Sequence, residues 1–221
     1  MKATISADIV RSTSLATSDL IVLRDGLRKF LRQLEEDYPG FWGRIIRGDS
    51  IECFVSDEKY ALRIAVLIKL YVKMRVSEFD CSDMLKRFGL RFSIGVSDRV
   101  YESKVEDIIN GPAIYISGRN LDVISRNSNS MTAFEIEMKS KHLNNLLNSY
   151  VAMVSSIVDS YSAKQSVVVF YKLLGFRESE ISERLGIYQS SVNTRATNAQ
   201  WGLLNSAIKD FENLKYDHLC G

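Results

Sequence analysis

The stretch FWGRIIRGDSIECFV, residues 41–55, decides the fold. Two apolar runs, Phe41 to Ile46 and Ile51 to Val55, flank Arg47-Gly48-Asp49-Ser50, the pattern of two antiparallel strands joined by a tight turn. Upstream, ATISADIV at 3–10 reads as a strand that stops at a polar tip. Between them Ser18 or Asp19 caps a helix with Leu20, Leu23, Leu27, Phe30, Leu31 and Leu34 on one face, stopped by Tyr38-Pro39-Gly40. Downstream, from Asp57, Ala61, Ile64, Ala65, Ile68, Tyr71 and Val72 recur at helical spacing, with Arg and Lys expected on the other side. Gly89 to Val96 reads as a strand, Gly111-Pro112 opens a helix to about Ser125, and Met131 to Ile136 is the last strand, after an Arg126 to Ser130 loop. Strand, helix, hairpin, helix, strand, helix, strand predicts an α+β sheet with helices packed on one face.

Beyond about Lys141 the strand signal ends and every segment reads helical. The expected organisation is an α+β domain at 1–140, a connecting helix at 141–160 and a small all-α domain at 161–221. Leu143, Leu147, Tyr150, Val154, Ile157 and Tyr161 alternate spacings of four and three. That stripe fits a short coiled-coil seam or a helix docked on its own domain.

Composition narrows the function classes. The 221 residues carry 29 Lys+Arg against 27 Asp+Glu, and 46% are hydrophobic, which excludes a disordered chain and a global basic field for polyanions. Cys53, Cys81 and Cys220 stand far apart, and with only His142 and His218 beside them they give no zinc spacing or disulfide framework. Cys53 alternates with its neighbours as a core residue, and Trp42 reads as packing. The first residues lack a signal peptide's apolar core, and the longest apolar run, Ala61 to Met74, is broken by Arg63, Lys69 and Lys73. A cytoplasmic, reduced protein with no membrane partner is expected.

The C-terminal residues carry the clearest motif. Val167, Val168, Phe170, Tyr171 and Leu174 make one apolar helix, and Glu178 to Leu185 a short second one around Ile181. Gly186 supplies a left-handed turn, and a third helix from Gln189 or Ser190 buries Val192 and later Trp201 and Leu204. This is a helix-turn-helix pattern. The stretch resembles region 4 of bacterial sigma factors and related regulators through Gly175, Glu180, Ile181, Leu185, Gly186, Ile187, Val192 and Ala199. On that resemblance Tyr188, Gln189, Ser190, Ser191, Asn193, Thr194 and Arg195 front the DNA major groove, where Gln and Asn suit adenine edges and Arg suits guanine or phosphate. From Ser160 onward seven Lys and Arg face six Asp and Glu. So slight a charge implies weak DNA binding by one copy, with either a dimer or docking on RNA polymerase completing the contacts.

Three N-terminal segments gain meaning together: Ala7 to Thr13, Arg47 to Ser50, and Gly111 to Arg119. Asp8 at a strand end and Asp49 in a hairpin turn can lie side by side and hold Mg²⁺ or Mn²⁺, or serve only as solvated turn residues. The turn Ile9, Val10, Arg11, Ser12 and Thr13, opening onto a helix, offers amides to phosphate. In this order the segments resemble the class III nucleotide cyclase homology domain over roughly residues 1–137. The resemblance implies a ferredoxin-like sheet, homodimers, metal on Asp8 and Asp49, a nucleotide ligand, and a transition-state role for Arg119. Phe92 to Gly95 falls where that family has its Gly-Ile strand. The departures are Tyr115 at the family's transition-state asparagine, Ile45 at its purine-selecting lysine and Ile108 at the partner acid. They strip the base pocket of polar partners and weaken the case for catalysis.

The reading is a bacterial transcriptional regulator: a degenerate cyclase-like sensor or dimerisation domain joined to a DNA-binding helix-turn-helix. The alternatives are a metal-dependent cyclase or other nucleotide-processing enzyme, and a protein-interaction scaffold.

Overall fold

A computed structural model describes residues 1–46, 48–127, 130–137 and 140–214. Arg47, part of the Arg126 to Ser130 loop, His218 and Cys220 lie outside the described residues.

The sheet is built from β1 (Lys2–Ile9), β2 (Phe41–Ile45), β3 (Ser50–Val55), β4 (Leu90–Ser97) and β7 (Thr132–Ile136) in the order β2-β3-β1-β4-β7. β1 pairs antiparallel with both β3 and β4, while β7 joins β4 in parallel. With α1 (Thr17–Asp37) after β1 and α2 (Ala61–Val76) after β3, the first four strands form the ferredoxin-like β-α-β-β-α-β unit. The fold class is α+β with a mixed sheet, as the hairpin and its neighbours predict.

Pleating sorts the strand residues. Ala3, Ile5, Ala7 and Ile9 of β1 point into the main core with Leu23, Leu27, Phe30 and Leu34 of α1 and Ile64 and Ile68 of α2. Thr4 and Ser6 point the other way, where Ser117 of α4 (Pro112–Arg126) bonds both hydroxyls at 3.0 and 2.8 Å. Thus α1 and α2 share a face, whereas α4 covers the opposite one, so the helices do not all pack on one face as the sequence predicts. Gly95 on β4 makes that second face possible, because a Cβ there would sit 2.2 Å from the Ala113 carbonyl oxygen. Two elements had no clear sequence signal: the short helix α3 (Asp83–Phe88) and the two-stranded ribbon β5 (Tyr101–Ser103) with β6 (Ile108–Asn110). The ribbon closes over Trp42, which is buried and donates its indole N–H to Glu102 at 2.8 Å, so Trp42 is a packing residue.

Three details correct the sequence reading. α1 starts two or three residues earlier than its expected caps: its N-cap is Ala16, without a side-chain bond, so Ser18 and Asp19 lie inside the first turn. On α2, Lys69 and Lys73 are 0% and 2% exposed and do not form a solvated face, because later helices cover that side. The expected third C-terminal helix is two, α8 (Gln189–Asn198) and α9 (Trp201–Glu212), broken where Gln200 adopts a left-handed conformation at φ 52°.

α5 (Lys141–Asp159) docks on its own chain: Leu147, Val151, Val154 and Val158 enter the main core against β7. α6 (Ala163–Leu173) opens with a Ser162–Gln165 capping box and lays Phe170 against Phe30 and Tyr71, with ring centroids 5.2 and 6.1 Å apart. Phe211 of α9 meets Phe134 of β7 edge-on at 5.6 Å. One buried cluster therefore includes residues from β1 to α9. A smaller one, Val168, Ile181, Val192 and Ala196, joins α6 to α7 (Glu178–Leu185) and α8.

Candidate functional site

Asp8 ends β1 opposite Ser50 of β3 and opposite Arg91 of β4. The β1–β3 register brings Asp49 alongside, its carbonyl accepting the Ile9 amide at 3.3 Å. The two aspartates named from sequence are therefore neighbours. Neither carboxylate is idle. Arg91 donates its Nε–H to Asp8 Oδ1 at 2.7 Å with both side chains about four-fifths buried, and the Ser12 hydroxyl donates to Asp49 Oδ2. Arg91 also caps the carbonyl of Ser125 near the negative end of α4 at 3.2 Å. Burial raises the Asp8 carboxyl above its ordinary value, Arg91 opposes that shift, and the nearby Asp49 charge adds to it.

This donor set does not fit a divalent cation as arranged. The guanidinium already takes the cation's place at Asp8, and among the described residues no group of three or more His, Cys, Asp and Glu surrounds a common point. The phosphate turn is also partly committed: Ile9 and Val10 give their amides to the Asp49 and Gly89 carbonyls, leaving the amides of Arg11, Ser12 and Thr13. Arg11 stands in a left-handed conformation at φ 53°, followed by a single 3₁₀ turn. Arg119 stands exposed on α4, and one turn before it the exposed Tyr115 hydroxyl donates to Asn110 Oδ1 at 2.5 Å. Ile45 lies half-buried on β2 and Ile108 exposed on β6. Cys53 is fully buried and its thiol is pushed up by burial, which makes it a core residue. Sequence reasoning missed Arg91. Its place opposite Asp8 is set by the long-range register of β1 on β4, which no local pattern around Arg91 shows.

The second candidate is the face of α8. Gly186 takes the left-handed conformation (φ 62°, ψ 35°) and the Ile187 amide returns to the Ser182 carbonyl at 3.1 Å, closing the α7–α8 turn. Val192, Ala196 and Ala199 face inward, so Gln189, Ser190, Asn193 and Thr194 face out. Tyr188 is 83% exposed, while Ser191 and Arg195 are half-buried at the edges. Thr194 spends its hydroxyl on the Ser190 carbonyl at 2.9 Å. On α7 Arg184 stacks on Phe176 and Tyr171, at 4.8 and 5.4 Å from their ring centroids.

No family model and no curated protein matches this chain. Two solved structures of a bacterial light-regulated adenylyl cyclase are similar to it. Each is 15% identical and covers 60% of this chain and 42% of the solved one, with TM-scores of 0.44 and 0.43. The chain therefore spans about two-fifths of the length of those cyclases. Among the described residues no helix is long and apolar enough to cross a membrane.

Proposed function

We propose that the protein is a bacterial transcriptional regulator, in which α6 to α8 form a DNA-binding helix-turn-helix carried on a cyclase-like α+β domain that no longer works as a cyclase. The observation that supports this most is the state of the α8 face. Gln189, Ser190 and Asn193 are short-stemmed amides and a hydroxyl held outward by a helix whose inner side is fully packed, and Gln and Asn suit adenine edges in the major groove. A scaffold role would call for that face to be covered by the rest of the chain, and it is exposed.

The slight net charge makes a single copy a weak binder, so the active form is a dimer with half-sites about 34 Å apart or a multiple of that. RNA polymerase is the partner if the module docks on protein as well. Catalysis is disfavoured by the Asp8–Arg91 pair and by Tyr115 at the asparagine position. Fluorescence anisotropy of the purified chain on labelled genomic fragments tests the proposal. Binding that weakens steeply with salt and is lost in Asn193→Ala supports it, whereas binding indifferent to that substitution contradicts it.

A further inference from the structure

Five aromatic rings touch in series where the sheet half meets the helical half. Phe30 of α1 stacks on Tyr71 of α2, with ring centroids 4.8 Å apart and planes within 6°. Phe30 also meets Phe170 of α6, Phe170 meets Tyr171 at 5.4 Å, and Tyr171 meets Phe176, in the turn before α7, edge-on at 5.5 Å. Phe30 and Phe170 are buried, while Tyr71, Tyr171 and Phe176 are half-buried. The same rings line an open groove of about 290 Å³, together with Lys29 and Gln33 of α1, Met74 of α2 and Arg184 of α7. Apolar and aromatic walls with a few polar groups are the usual lining of a small-molecule site, and this volume lies at the low end of such sites.

The charges on this wall are one-sided. The lining includes Lys29 and Arg184 but no Asp or Glu. The carboxylates one turn before each cation are engaged elsewhere: Asp25 pairs with Arg28 at 2.8 Å, and Glu180 accepts the Arg177 amide at 2.6 Å. Stacking on Tyr171 and Phe176 uses the face of the Arg184 guanidinium and leaves its N–H edge for an acceptor. The Tyr71 hydroxyl rests on the α1 backbone, where a Cβ on Gly26 would stand 2.4 Å from it. Burial raises the Tyr71 phenol above its ordinary value, with Arg75 opposing and Glu78 adding, so it stays a donor at neutral pH. We propose that this groove binds a small planar aromatic carboxylate, its ring against Tyr71 and Tyr171 and its carboxylate accepting from Arg184, with Lys29 as the second cation on the wall. A carboxylate matches the planar fork of Arg184, and a flat ring matches half-buried aromatic side chains through offset or edge contacts. Lys29 and Tyr71 belong to the sheet half, Tyr171 and Arg184 to the helical half, so the ligand bridges the two.

The test uses the full chain, with naphthoate titrated by calorimetry and thermal melting at constant ionic strength, and with naphthamide and acetate as the neutral-ring and ringless controls. DNA is absent, so the result is separate from the proposed function. The expected result is saturable binding of naphthoate, at least fivefold tighter than either control and weakened fivefold or more when Lys29→Gln and Arg184→Gln are combined. Both substituted side chains are exposed, so the melting temperature without ligand should stay within about 2 °C of the parent. Absence of saturable naphthoate binding, a preference over either control of less than fivefold, or a smaller loss in the double variant overturns the proposal and leaves the aromatic series as packing between the two halves.

Discussion

Arg63 on α2 and Glu212 near the end of α9 bind fork to fork, with Arg63 Nη2 at 3.0 Å from Glu212 Oε2 and both side chains about 85% buried. The same guanidinium donates to the Leu173 carbonyl at the end of α6 at 3.2 Å. A residue of the ferredoxin-like unit therefore holds two helices of the C-terminal module.

Arg63→Ala leaves Glu212 charged and largely buried, so it is expected to cost about 2–4 kcal/mol of unfolding free energy. Urea unfolding followed by tryptophan fluorescence and by circular dichroism checks this. The two probes should trace one coincident transition in both proteins; a separate early transition of the helical half would contradict the shared core.

Gly95→Ala is expected to destabilise by about 2–4 kcal/mol, because the new methyl would stand 2.2 Å from the Ala113 backbone oxygen and α4 must move off the sheet. Ala133, half-buried on the same strand pair, offers a control position where small changes are mild. Equal stability of Gly95→Ala and the parent would place α4 farther from β4 than described.

Much of this was legible in the chain. The hairpin, the strands beside it and the Gly186 turn follow from local chemistry: alternation, turn residues and a glycine where φ is positive. The helix break at Ala199–Gln200 was not legible, because Gln200 is neither Gly nor Asn and nothing local requires its left-handed conformation. Lys69 and Lys73 were misassigned for a tertiary reason. A lysine on a helix reads as solvated until another element covers it, and Asp159, which pairs with Lys69, lies 90 residues away. The Asp8–Arg91 pair was hidden similarly: the register of β1 on β4 is a long-range fact.

Arg91→Ala removes the built-in counter-ion of Asp8 and frees two adjacent carboxylates. The variant is expected to gain a saturable rise in melting temperature with Mn²⁺, while the parent changes little over the same range. A parent that responds to Mn²⁺ as strongly as the variant would show that Arg91 yields the position to metal.

The Lys73 ammonium gives a pH signature. Its folded pKa of about 8 lies below the unfolded value near 10.5. Between those limits the unfolded chain holds more protons, so this group's contribution to stability rises with pH, by at most about 1.4 kcal/mol per unit. Of the groups around it, Asp159 opposes the shift while Lys69 and Arg87 add to it. Lys73→Met should remove the rise: the difference in urea-unfolding free energy between parent and variant should grow in the parent's favour from pH 8 to 9.5. A flat difference would mean that Lys73 is paired as an ordinary surface lysine.

Selection of random genomic fragments by the purified full chain, followed by sequencing, tests the central claim most directly. The account predicts enrichment of one sequence with two half-sites about 34 Å apart or a multiple of that, lost when Gln189 and Asn193 are both changed to Ala. Recovery of fragments with no common sequence, or of the same sequence by that double variant, would contradict it.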